Sequence, residues 1–182
     1  MKLSYLRRRR VIAFTLVELI VVIAIIGLMA SLLMPAIQTV IMRARSEQCS
    51  TNLRSIGVAA IQAATDNNNT YPEIDQAAIP IYPAGSGATN LIGALGPYGI
   101  TTNTIQCPVD MMAGGNSSFQ QYKSSYEWRP ALDNESTVSP VIYFGNTPIP
   151  VNTSRIRLCT DFLPLHNGKM NAVYGDGHVR AR

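Results

Sequence analysis

Polar and apolar positions change their pattern three times along the chain. Residues 14–34 carry one charge, Glu18, and no proline. Leu, Ile, Val and Met occupy every face of a helix built there, so none of its sides suits water. At 1.5 Å per residue, 21 residues reach about 31 Å, the thickness of a bilayer's hydrocarbon core. After Pro35 the apolar residues thin to a stripe. Ile37, Val40, Ile41, Ala44, Cys49, Leu53, Ile56, Val58, Ala60 and Ile61 recur at near-helical spacing, with Gln38, Arg43, Arg45, Glu47, Arg54 and Gln62 between them. The pattern predicts one helix over residues 14–64, kinked at Pro35, whose ring removes a backbone donor and clashes with the turn before it. Gly57 is a tolerated defect of about 1 kcal/mol, and Asp66-Asn67-Asn68-Asn69 ends the helix.

Residues 66–125 follow as a long irregular connection rich in Pro, Gly, Asn, Ser and Thr. Tyr71-Pro72, Tyr82-Pro83 and Gly85-Ser86-Gly87 mark loops. A short helix over 90–95 is stopped by Gly96-Pro97. Strand patterns then occupy 124–129, 141–144, 155–162, 170–174 and 178–182. Asn167-Gly168 and Gly175-Asp176-Gly177 suit tight turns between strands. The expected fold is α+β: a long kinked helix whose amphipathic half packs on a C-terminal antiparallel sheet. The implied divisions are a leader at 1–13, a membrane half of the helix at 14–34, an amphipathic half at 35–65, and a globular domain at 66–182.

Charge sharpens this division. The 182 residues carry a formal net charge of +4. Lys2 and Arg7–Arg10 lie in the first thirteen residues, and without them ten basic residues face eleven acidic ones. No basic patch remains to bind nucleic acid. An arginine block beside an apolar span instead holds that end in the cytoplasm, which puts the rest of the chain beyond the inner membrane. In an ordinary secretory signal the small-residue cleavage site follows the apolar core. Here Ala13 precedes it, so cleavage would retain the helix.

A carboxylate at membrane depth costs about 2.5–3.5 kcal/mol. Glu18 either snorkels toward the interface, near the positive helix N-terminus, or receives a cation from another chain. Arg7–Arg10, Ala13, Phe14, Thr15, Leu16 and Glu18, followed by the apolar run and Pro35, resemble the type IV prepilin signature. The resemblance covers residues 7–37 and differs from the usual pattern in having Ala, not Gly, at position 13. It implies that a membrane prepilin peptidase cuts between Ala13 and Phe14 and N-methylates Phe14. The new ammonium group would pair with Glu18 of a neighbouring subunit, fixing register as helices stack.

The second specific stretch is His166-Asn167-Gly168-Lys169-Met170-Asn171-Ala172-Val173-Tyr174-Gly175-Asp176-Gly177. It resembles the His-x9-Asp-Gly segment of a large prepilin-like group. Cys107-Pro108-Val109-Asp110, Ser125-Tyr126 and Thr160-Asp161 resemble that group's internal landmarks. Of three cysteines, Cys107 and Cys159 in the globular part are the expected disulfide pair, with buried free thiols as the alternative; Cys49 lies on the helix stem. No CxxC spacing supports zinc or thioredoxin-like chemistry.

Asp161, His166, Asp176 and His178 include metal-ligating types, but His166 and His178 fall at opposite ends of a strand, roughly 16 Å apart. Turn formation and packing explain them adequately. The architecture resembles major pseudopilins of type II secretion, which bind calcium near the C-terminus. Asp161 and Asp176 are the best oxygen donors, yet no calcium-loop spacing is present. No nucleophile, zinc-protease or phosphate-loop motif appears. The four Asn-x-Ser/Thr sites, at Asn68, Asn116, Asn134 and Asn152, follow from loop composition.

The expected function is therefore structural: a non-enzymatic prepilin-like subunit needing no cofactor, assembled into a type II secretion pseudopilus or a type IV pilus-like filament. Its implied partners are the prepilin peptidase, like subunits, an inner-membrane assembly platform and lipid. The competing class is a membrane-tethered binding or enzymatic domain acting through the His/Asp cluster.

Overall fold

The computed structural model describes residues 15–74, 90–166 and 168–181. The Ala13–Phe14 bond, the Tyr82-Pro83 and Gly85-Ser86-Gly87 loops, and Asn167 lie outside them. The chain divides into two compact units, Met1–Ile41 and Met42–Arg182. One helix, α1 (Leu16–Asp66), contributes residues to both.

In the first unit, α1 opens with a reciprocal cap. The Thr15 backbone N–H and hydroxyl donate to Glu18 Oε2 at 2.9 and 2.8 Å, and the Glu18 N–H donates back to Thr15 Oγ1 at 3.3 Å. Two of the helix's orphan donors are satisfied this way. Every residue over 16–41 is exposed. An 18-residue window of α1 reaches a mean hydropathy of 2.8, long and apolar enough to cross a membrane. Two of its hydroxyls bond within the helix: Ser31 Oγ to Leu28 O at 2.7 Å and Thr39 Oγ1 to Pro35 O at 3.2 Å. Pro35 lies inside the helix. The expected buried stripe does not begin at Ile37, since Ile37, Val40 and Ile41 are all exposed.

In the second unit, burial on α1 starts at Cys49 and continues through Leu53, Ile56, Gly57, Ala59, Ala60, Ala63 and Ala64. Small residues dominate this face, letting the sheet approach the helix axis closely. Gly57 is the closest point: a Cβ there would overlap Val173 Cγ2. It is therefore a packing requirement and not merely a tolerated defect. Val58, placed by spacing in the stripe, is 45% exposed. Adjacent positions on a helix are about 100° apart, so with Gly57 facing the sheet Val58 turns away. Beyond Asp66, Asn68 and Asn69 adopt left-handed backbone at φ 53° and 59°, a conformation Asn accepts more readily than most residues.

Among the described residues, five short strands and a proline-bearing sixth follow. β1 (Tyr126–Trp128), β4 (Arg157–Asp161), β5 (Asn171–Tyr174) and β6 (Val179–Ala181) form one antiparallel sheet in the order β1-β4-β5-β6. β2 (Val141–Phe144) does not join it. It pairs only with β3 (Thr147–Pro150) as a separate hairpin. Sequence reading missed β3 because Pro148 and Pro150 argue against a strand. Both strands of an isolated hairpin are edges, where missing donors are tolerated.

The irregular connection also holds α2 (Leu91–Leu95), capped by Asn90 Oδ1 accepting from Gly93 N, and α3 (Ser118–Tyr122), capped by Ser117. A 3-10 turn over Asp110–Asn116 precedes α3. The core joins Leu53 and Ile56 of α1 to Tyr126 and Trp128 of β1, Leu158 of β4 and Val173 of β5. Tyr71 meets Trp128 edge-on at 6.4 Å, and the indole N–H donates to Asp133 Oδ1 at 2.8 Å.

Candidate functional site

Some of the residues singled out by sequence, Cys107, Asp161 and His166, meet at the buried joint between α1 and the sheet. Cys49 and Cys107 form a disulfide, with Cα atoms 4.9 Å apart. This corrects the expected Cys107–Cys159 pairing. Cys159 lies in the middle of β4, opposite Trp128 on one side and Val173 on the other, as a free buried thiol. Burial first, then the neighbouring Asp161 charge, pushes that thiol's pKa well above its ordinary value. Cys49, assigned to the stem, lies on the buried face of α1 one turn beyond Ser46.

His166 stands over this disulfide. Its Nε2 is 3.8 Å from Cys107 Sγ and 3.2 Å from Asp161 Oδ2, while Nδ1 is 2.9 Å from Ser46 Oγ. With its proton on Nε2, the ring donates to the carboxylate and accepts from the Ser46 hydroxyl. Asp161 Oδ2 also accepts the Asn171 backbone N–H at 2.6 Å, but Oδ1 is buried without a partner. His166 and Asp161 thereby tie α1 to β4 and to the start of β5. Ser46 was not visible as a site residue, although it shares a helix face with Cys49 at the i, i+3 spacing.

Asp110 forms a second knot three residues after Cys107. Fully buried, its carboxylate accepts from Ser118 N at 2.8 Å, Phe119 N at 2.9 Å and Ser125 Oγ at 2.6 Å. Beside it, Tyr126 donates to Cys49 O at 3.3 Å, and burial raises the phenol's pKa. So Cys107, Tyr126 and His166 each bond to α1, Asp161 backs His166, and Asp110 and Ser125 form the knot beside them.

Asp176 and Gly177 belong elsewhere, in the β5–β6 turn. Asp176 pairs with His178, which stacks on Tyr174 at 4.3 Å. Partial burial raises the Asp176 pKa, but bonds and charge from His178 outweigh that and lower it overall. Gly177 takes φ +84°, as a turn glycine should, whereas Gly175 is needed for proximity: a Cβ there would lie 2.8 Å from Thr153 O. Before β5, His166 and Lys169 exchange both backbone bonds at 3.1 Å. The two histidines thus serve two separate carboxylates.

At the other end, residues 8–34 match the prokaryotic N-terminal methylation motif. The N-terminal segment is that of a type IV prepilin-like protein. Within this prepilin-like segment the motif spans both Ala13 and Phe14 and continues through the exposed apolar part of α1. No curated protein and no solved structure matches the chain. The Thr15–Glu18 cap is a role for Glu18 that the sequence reading missed, and Thr-x-x-Glu before an apolar run was its signal.

Proposed function

We propose that the protein is a structural prepilin-like subunit, cut between Ala13 and Phe14 and N-methylated on Phe14 by a prepilin peptidase. It then assembles with like subunits, through an inner-membrane platform, into a type II secretion pseudopilus or a type IV pilus-like filament. The globular unit lies outside the cytoplasm, and Pro35 bends the helix where it leaves the lipid. The observation that carries this reading is the methylation motif at residues 8–34, continuous with a first half of α1 that is apolar on every face and exposed over 16–41. Such a surface is stable in lipid or against copies of itself. Both capping bonds use a single carboxylate oxygen, Oε2, and a carboxylate offers roughly four acceptor positions. Glu18 can hold Thr15 and still receive the ammonium of a neighbour's Phe14.

The burial of His166 and Asp161, at 8% and 0% exposure, favours this structural role over tethered catalysis, which needs a substrate-accessible site. The resemblance to the His-x9-Asp-Gly group is consistent with the same role: His166 locks the helix to the sheet, and Asp176-Gly177 shapes the last turn.

The cap and the ion pair separate experimentally. Glutamine at position 18 preserves a capping box but carries no charge. Glu18→Gln and Glu18→Val should both insert into membranes normally, and both should incorporate into filaments more than about tenfold less well than wild type. Full assembly of Glu18→Gln would show that Glu18 serves only as a cap.

A further inference from the structure

We infer that the buried joint is also a soft-metal site, available when the Cys49–Cys107 disulfide is reduced. The two sulfurs and a ring nitrogen of His166 lie within 4.8 Å of one another, and Asp161 Oδ2 lies 3.2 Å from His166 Nε2. A disulfide requires neither an imidazole nor a carboxylate beside it. Burying Asp161 with Oδ1 unpartnered carries a desolvation cost that the disulfide does nothing to offset. Two thiolates and an imidazole are three of the four ligands of a tetrahedral Zn²⁺ site, which takes sulfur at about 2.3 Å and nitrogen at about 2.0–2.1 Å and leaves the fourth position to water or a nearby oxygen.

The balance is simple. Oxidation of the dithiol by a disulfide-bearing partner removes two electrons and two protons, forms the Cys49–Cys107 bond and leaves the partner as a dithiol. Zinc binding instead displaces the two thiol protons without electron transfer. His166 changes tautomer: with Nε2 on the metal, the ring proton sits on Nδ1 and donates to the Ser46 hydroxyl oxygen. A hydroxyl works in either direction, so Ser46 orients the ring in both states. Disulfide and metal are mutually exclusive occupants of one joint. Each fastens α1 to the Cys107 segment, and the joint can be loaded before the domain closes over it.

The full-length protein in detergent micelles is reduced with a phosphine, freed of reductant without oxygen, and titrated with Co²⁺ and then Zn²⁺. The reduced protein should take up one equivalent, with thiolate-to-cobalt charge-transfer absorption and intense tetrahedral bands that zinc abolishes. The oxidised protein should show neither. Cys159→Ser should bind as wild type, and His166→Ala should bind more than about tenfold more weakly. If reduction unfolds the globular unit, zinc should restore its native circular dichroism. Absence of cobalt–thiolate absorption in the reduced protein, or equal affinity in His166→Ala, overturns the inference. So does failure of zinc to refold an unfolded reduced chain.

Discussion

Asp110→Ala should lower the stability of the globular unit by about 3–5 kcal/mol, measured by urea denaturation of the purified protein. The carboxylate is fully buried and accepts three hydrogen bonds. Bonds to a charged group are worth about 1.5–3 kcal/mol each, and each buried donor left unpaired adds a desolvation penalty. The truncation strands the Ser118 and Phe119 N–H groups, which α3 cannot satisfy itself because they belong to its first turn. It also releases Ser125, at the entrance to β1. Against a typical domain stability of about 5–15 kcal/mol, such a loss leaves a marginal fold. Asp110→Asn should fall between wild type and Ala, because an amide oxygen still accepts from one of the two N–H groups. A loss below about 1 kcal/mol in the alanine variant would mean that water replaces the carboxylate, contrary to its burial.

Gly57→Val should cost about 3 kcal/mol, and Gly57→Ala about 1–2 kcal/mol, both through overpacking. In an exposed helix interior Gly→Ala would instead stabilise by about 1 kcal/mol, so the sign of the alanine result is decisive. Val173 cannot yield easily. Its β-branched side chain is stiff at χ1, and β5 is held on both edges, by β4 and β6. Val173→Ala introduced with Gly57→Ala should recover about 1 kcal/mol relative to additivity, as expected for residues in contact. Stabilisation by Gly57→Ala alone would contradict the close approach of helix and strand.

These two residues mark the boundary of what sequence makes legible. The 21-residue apolar run, the arginine block and Glu18 are local patterns, and they carried the long helix, the prepilin resemblance and the α+β class. Strand patterns gave β1, β2, β4, β5 and β6 because each is a short stretch holding β-branched, aromatic or other apolar residues and bounded by turn residues. Distances across the chain were not available in that way. The pairing of Cys49 with Cys107 depends on which face of α1 meets the irregular connection, and spacing placed the start of that stripe about three turns too early, at Ile37 instead of near Cys49. Gly57 reads as a helix defect until Val173 is set against it. Asp110 reads as a loop aspartate until Ser118, Phe119 and Ser125 gather around it. His166 and Asp176 read as one motif because they are ten residues apart, yet β5 separates them into different pairs. The Thr15–Glu18 cap was legible and was obscured by the stronger functional meaning of the same glutamate.

The central claim is that a peptidase removes the arginine-rich head and exposes a methylated Phe14 for the next subunit's Glu18. Mass spectrometry of the N-terminal peptide from filament-associated protein tests it most directly. The account predicts N-methyl-phenylalanine as the first residue, with no peptide containing Arg7–Arg10. An intact leader in assembled protein, or a new terminus beyond the apolar run, would contradict it.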